Sequence, residues 1–185
     1  MNPIRLENYG VILDRLTERD LEMVRNWRNS PEISQFMVYR EHITPEMQAK
    51  WFASLDPERD FHFVIRYDGV PCGLCDLKKI NLADRTCVGG IFMAPEFWNT
   101  DIPLRATFCS SDFAFFDCGL DAMLSTVLKT NARAIRFNLG LGYRILNSAG
   151  DDALTFDIRL EKADYDRATR RLREYLAKVS AGSKD

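Results

Sequence analysis

The sequence predicts one α/β domain, and three observations carry that prediction. Phe61, Phe63, Ile65 and Tyr67 alternate with His62, Val64 and Arg66, the period-two pattern of a strand. Asp68-Gly69 then reads as a hairpin turn into a second strand over residues 70–80. Ahead of this hairpin, Ser30-Pro31 and Thr44-Pro45 each place a capping hydroxyl before a proline at the first helical position. The 185 residues, 46 % hydrophobic, suffice for a single core without metals or disulfides.

The first strand falls on residues 9–16, rich in β-branched and aliphatic side chains. Thr17 with Asp20 three positions on forms a capping box, after which Leu21, Val24 and Trp27 recur at helical spacing. The helix opened at Thr44 carries Met47, Trp51 and Leu55 as its buried stripe. Beyond the hairpin, residues 87–93 form a further strand, in which Gly89-Gly90 marks a bulge or a close backbone approach. Residues 95–103 are irregular, and Leu104, Phe108 and Phe115 follow at helical spacing. Residues 122–128 read as a strand and 131–139 as a helix closed near Gly140 and Gly142. Residues 143–147 and 153–160 make a last strand pair around Ala149-Gly150-Asp151. A basic amphipathic helix ends the chain, with Tyr165, Ala168, Leu172, Tyr175 and Val179 on one stripe that packs on its own sheet or on a second subunit.

Composition excludes several function classes. Lys and Arg total 25 against 27 acidic residues, so no broad positive field favours nucleic acid or an anionic membrane. The longest charge-free run, 86–95, is ten residues and too short to span a bilayer. The first seven residues lack a basic segment followed by an apolar one, so a cytoplasmic location is expected. Five cysteines cannot all pair within the chain. Cys72 and Cys75 have a spacing that puts them on opposite faces of a strand, so they read as buried structural thiols. With only His42 and His62, no His-rich metal site is expected. His62 reads as structural, whereas His42 lies before a helix in a stretch able to line a cleft. Trp27-Arg28-Asn29 with Phe36-Met37-Val38-Tyr39 packs an arginine, an asparagine and several aromatics between two short helices.

Four segments together resemble the GNAT superfamily of N-acetyltransferases. They are Trp27-Arg28-Asn29-Ser30-Pro31-Glu32-Ile33, the hairpin of residues 63–74, Ile91-Phe92-Met93-Ala94-Pro95-Glu96-Phe97, and Thr130-Asn131-Ala132-Arg133-Ala134-Ile135-Arg136-Phe137 running into Gly142-Tyr143-Arg144. The resemblance implies a central mixed, mostly antiparallel sheet flanked by helices over residues 1–160, with 161–185 an added C-terminal helix and tail of the same domain. The amino-terminal half is most similar to the subgroup that acetylates a UDP-linked dideoxy amino sugar in pseudaminic acid synthesis, the sugar used in flagellin glycosylation. Its broader neighbours acetylate peptide termini, and a non-catalytic binding module on the same fold is the third alternative.

That resemblance implies direct acetyl transfer from acetyl-CoA, without a metal, to the amine of a nucleotide-linked sugar by an enzyme that is a monomer or a homodimer. Arg28, Met37, Tyr39, His42, Gln48 and Lys79 would bind the substrate. Ile91, Phe92, Met93, Asn99, Thr100, Leu104, Asn131, Ala134, Phe137 and Asn138 would bind acetyl-CoA. The chain departs from the family pattern in ways that bear on chemistry. The loop Trp98-Asn99-Thr100-Asp101-Ile102-Pro103 has neither glycine nor a basic residue. Asn138 replaces the usual tyrosine acid, and Val88 and Thr126 stand where acidic residues are frequent. Asn138 and Thr126 are therefore the expected catalytic positions, with Asp76, Glu41 and His42 as further proton acceptors.

Overall fold

The computed structural model describes residues 5–146 and 154–182. Eight strands form one sheet: β1 (Arg5–Asn8), β2 (Val11–Arg15), β3 (Phe61–Tyr67), β4 (Val70–Asn81), β5 (Thr86–Met93), β6 (Ala122–Leu128), β7 (Arg144–Ile145) and β8 (Thr155–Glu161). Their spatial order is β1-β2-β3-β4-β5-β6-β8-β7. Every pairing is antiparallel except that of β5 with β6. This is the mixed, mostly antiparallel sheet that the resemblance implies.

Helices cover both faces, which is why β3 is buried on alternate residues of either parity. One face meets α1 (Leu21–Asn29), α2 (Pro31–Ser34) and α3 (Pro45–Ala53), where Val24, Trp27 and Trp51 pack on Leu16, Val64, Leu74 and Phe92. The other meets α4 (Ile102–Asp112), α5 (Ala132–Gly140) and α6 (Lys162–Gly182), whose Phe108, Phe137 and Tyr165 join Leu13, Phe63 and Leu77 in the larger core. The start signals behave as read. Asp20 closes a capping box with Thr17, and Thr44 Oγ1 accepts from Met47 N at 3.2 Å.

Four expectations need correction. The strand read over residues 9–16 begins two residues later, as β2, because Tyr9 (φ 56°) and Gly10 (φ 75°) take left-handed conformations and turn the chain from a further strand, β1, that precedes it. Cys72 and Cys75 join the same core cluster rather than opposite faces. The ladder skips Cys72, pairing Arg66 with Pro71 and Ile65 with Gly73, and that bulge resets the alternation. In α3 the buried residue is Gln48, while Met47 is exposed and Leu55 lies past the helix end.

The fourth concerns α6. Tyr165, Thr169 and Leu176 are buried there, and Leu172, Tyr175 and Val179 are exposed. The helix is rotated because a polar group, not an apolar one, anchors it. Asp112 on α4 accepts hydrogen bonds from the Tyr9 hydroxyl, from Tyr165 Oη at 2.9 Å and from Arg173 Nη1 at 3.0 Å. Arg173 also donates to Thr169 Oγ1 and Asp166 Oδ1. Apolar periodicity alone cannot place a helix whose inner face includes an arginine and a threonine. The expected final strand pair is present as β7 and β8, and the turn at Ala149-Gly150-Asp151 lies outside the described residues. No helix among the described residues is long and apolar enough to cross a membrane.

Candidate active site

The parallel join of β5 and β6 is short. It pairs Thr86 with Ala122, Cys87 with Met123 and Val88 with Leu124, and goes no further. Beyond it β5 continues along β4 to Met93, and β6 continues along β8 to Leu128. The two strands therefore part within the sheet, leaving backbone N–H and C=O groups of each bank without a ladder partner across the gap. A cleft of about 950 Å³ occupies this split.

Gly89 and Gly90 show that the cleft opens on both faces. A Cβ on Gly89 would lie 2.6 Å from Met123 Cε and 3.8 Å from the Tyr143 hydroxyl, on the α4–α6 side. A Cβ on Gly90 would lie 2.9 Å and 3.2 Å from the two Asp76 carboxylate oxygens, on the α1–α3 side. At both glycines the space a side chain would take is filled by the side chain of a neighbouring strand, on one face by Met123 and on the other by Asp76.

Most of the residues singled out in the sequence meet here. Arg28, Met37 and Tyr39 line the α1–α3 end, with Lys78 and Asp76 beside them. Ile91, Phe92 and Met93 form one bank, and Thr126 lies on the other. Thr100, Leu104, Asn131, Ala134, Phe137 and Asn138 line the α4–α5 end. Asn131 caps α5, its side chain accepting from Ala134 N at 3.0 Å.

Asn99, His42, Gln48 and Lys79 do not line the cleft. His42 and Asn99 are exposed, as is Glu41. Gln48 lines a separate shallow hollow with Glu18, Glu22 and Arg25. Lys79 misses the site by one residue. The β4–β5 ladder shifts after Lys78, Lys79 has φ 51°, and its backbone N–H donates to Asp60 Oδ1, so Lys78 reaches the cleft instead.

The two expected catalytic side chains are tethered locally. Asn138 Nδ2 donates to Ala134 O at 2.9 Å, and Thr126 Oγ1 donates to Asp157 Oδ1 at 3.1 Å. Three groups that the sequence reading left out of the site lie in it. Tyr143 is buried, and burial pushes its phenol pKa upward, so it keeps its proton at any working pH. Arg133 stacks over the Trp98 ring at 4.2 Å and faces Phe36 at 5.5 Å. It is the cation at the end where the glycine-free loop supplies none. There Asp101 is neutralised by Arg105 at 2.8 Å, and the first turn of α4 offers few free donors. Ile102 N already donates to Thr100 Oγ1, Pro103 has no N–H, and Arg105 N donates to Asp101 O. The third group is Lys78.

Under the cleft floor His62 is only 3 % exposed and edge-on to the Trp51 ring at 4.9 Å. Burial pushes its pKa below the ordinary value, against an upward pull from Asp76. A histidine kept neutral in the folded state adds stability above its unfolded pKa, about 6.5, and that stability is lost as pH falls below it. The melting temperature should therefore drop between pH 7 and pH 5, and His62→Phe should flatten the slope. An identical slope in that variant would contradict the assignment.

The sequence model of the family described as acetyltransferase (GNAT) domain matches residues 11–144. The chain is 25 % identical over 134 residues to the acetyltransferase PseH of Campylobacter jejuni serotype O:2, covering 72 % of this chain and 80 % of that one. Its fold superposes on apo FdhC, a nucleotide-linked sugar GNAT, with a TM-score of 0.77 at 17 % identity, over 93 % of this chain and 98 % of that one. It also superposes on the spermidine N-acetyltransferase of Vibrio cholerae in complex with CoA and spermine, with a TM-score of 0.73 at 18 % identity, over 85 % and 99 % of the two chains.

Proposed function

We propose, since this chain belongs to the GNAT acetyltransferase family and is an acetyl-CoA-dependent N-acetyltransferase, that its acceptor is the amine of a nucleotide-linked amino sugar. The observation that carries this reading is the α1–α3 end of the cleft, where Arg28, Met37, Tyr39 and Lys78 converge. Two cations beside apolar and aromatic walls suit a phosphate-bearing ligand with a sugar. The similarity to PseH and the shared fold with FdhC support the same substrate class.

The donor then belongs to the α4–α5 end. The split there fits an extended thioester arm: unpaired backbone along Ile91 to Met93 flanks it, and the Asn131 cap stands across from that bank. A backbone N–H of this bank would stabilise the oxyanion that forms on the thioester carbonyl. Arg133 would leave its Trp98 stack to meet the donor's phosphates. Tyr143, holding its proton beside Gly89, would return one to the departing thiolate, a task the amide of Asn138 cannot perform. Tyr143→Phe is expected to lower kcat about a hundredfold, the lower end of the usual range for loss of an acid–base group, with little change in KM for acetyl-CoA. Unaltered kcat would remove Tyr143 from the mechanism.

The test of the substrate class is thiol release from acetyl-CoA with three amine classes in parallel: a UDP-linked amino sugar, a polyamine and a peptide with a free N-terminus. Turnover confined to the sugar nucleotide supports the proposal. Turnover of only the peptide or only the polyamine replaces it.

A further inference from the structure

One carboxylate in the cleft takes no part in binding as described above. Asp76 on β4 is cross-strand from His62 on β3 and from Gly90 on β5. Its neighbour Cys75 is cross-strand from Ile91, so the carboxylate sits one register step from the bank that faces the donor. Gly90, lacking a side chain, leaves the space the carboxylate fills. The charged and titratable groups facing it are Lys78 from its own strand, His62 from β3 and Arg28 from α1.

None of these satisfies it completely. Lys78 Nζ forms an ion pair with Oδ1 at 3.0 Å, and that oxygen is buried without a hydrogen-bond partner among the described residues. His62 Nδ1 stands 4.0 Å from Oδ2, and neither ring nitrogen of His62 has a hydrogen-bond partner among the described residues. Arg28 Nε is also buried without one. A buried carboxylate oxygen short of a partner, opening on a cleft, is incomplete without a ligand that donates a hydrogen bond to it. A substrate amine is such a donor. Glu41 and His42, the other acceptors considered from sequence, are exposed and outside the cleft.

We infer that Asp76 receives the acceptor's ammonium group and takes its proton before acetyl transfer. One N–H bond of the ammonium breaks and an O–H bond forms on Asp76, leaving a lone pair on nitrogen. That lone pair attacks the thioester carbonyl, the C–N bond forms and the C–S bond breaks. Tyr143 gives its proton to the departing thiolate, which leaves as thiol, and the extra proton on the new amide nitrogen restores Tyr143. Asp76 then returns its proton to solvent, so the net products are amide, thiol and one proton. His62 is a positioning residue in this scheme, neutral and packed beneath the carboxylate. The inference rests on an amine acceptor of any class and not on the sugar nucleotide.

The experiment compares wild type and Asp76→Asn across pH, using whichever of the three amine classes wild type turns over. At neutral pH the variant should lose at least about a hundredfold in kcat/KM for the amine, the scale of a lost proton acceptor, with KM for acetyl-CoA within twofold. The gap should close as pH approaches the amine's own pKa, because free amine then needs no acceptor. Below that pH the variant's rate should follow the free-amine fraction, while wild type departs from it. A ratio of wild type to variant that stays constant with pH, or a loss under threefold, overturns the inference. Should Asp76→Asn fail to fold, Gly90→Ala serves instead, since its Cβ displaces the carboxylate from within, and it should show the same pH-dependent gap. Turnover of a polyamine or peptide alone, with the gap present, sinks the sugar-nucleotide reading and keeps this one. No turnover with any amine sinks both.

Discussion

Asp112→Ala is expected to lower the melting temperature by roughly 10–15 °C, corresponding to about 3–5 kcal/mol for breaking a buried ion pair in a chain of this size. The substitution strips Tyr9, Tyr165 and Arg173 of their shared acceptor at once. Arg173 is 11 % exposed in its side chain and would be left as a buried charge paired only with Asp166. Burial itself pushes the Asp112 pKa up, and the hydrogen bonds from Tyr9 and Tyr165 with the charge of Arg173 pull it back only in part. Asp112→Asn keeps an acceptor oxygen and should lose clearly less. Thermal denaturation of both proteins decides the matter, and a fall under about 3 °C for the alanine variant would show that the network is not holding α6 to α4.

Gly73→Ala should be the most damaging one-methyl change in the sheet. Its Cβ would stand 2.3 Å from the Phe92 carbonyl oxygen and 2.9 Å from Met93 Cα. Both obstacles are backbone, so no rotamer change relieves them, and β4 and β5 must separate where Gly73 pairs with Met93. Overpacking of this kind costs about 3 kcal/mol. Because Phe92 and Met93 also form one bank of the cleft, KM for acetyl-CoA should rise together with the loss of stability. Gly140→Ala is the matched control. Nothing lies within 4 Å of that Cβ, and the position is helical, so the change should leave activity intact and add a few tenths of a kcal/mol. Urea denaturation and steady-state kinetics on the pair would expose an error if Gly73→Ala matched its control.

The legible parts of this protein are those where local chemistry and final structure agree. The β3–β4 hairpin is announced by alternation and Asp68-Gly69, α3 by Thr44-Pro45 and α5 by Asn131. Arg28, Met37 and Asn138 reach the cleft because the segments that resemble the family fold as that resemblance implies. The failures have separate causes. The β1–β2 turn depends on a left-handed tyrosine, a conformation that nothing in a tyrosine's composition signals. Lys79, which the resemblance assigns to the substrate, gives way to Lys78 because of a ladder shift that a resemblance in sequence does not carry. The Asp76 cluster draws on β3, β4, β5 and α1, and no stretch of sequence brings residues 28, 62, 76 and 90 together. It becomes visible only through the register of three strands.

The seam between β5 and β6 also has a mechanical meaning. Three residue pairs join a five-stranded plate, β1 to β5, to a three-stranded one, β6 to β8, within a single sheet. Within each plate the inner ladders are longer, reaching seven pairs between β6 and β8, and only the two-pair edge ladder of β7 with β8 is shorter. The sheet is thus stiff in two blocks and compliant along one short line. A molecule lodged beside that line touches both blocks, so it acts as a splint across the short join between the two plates, and its arrival or departure alters how they bear strain.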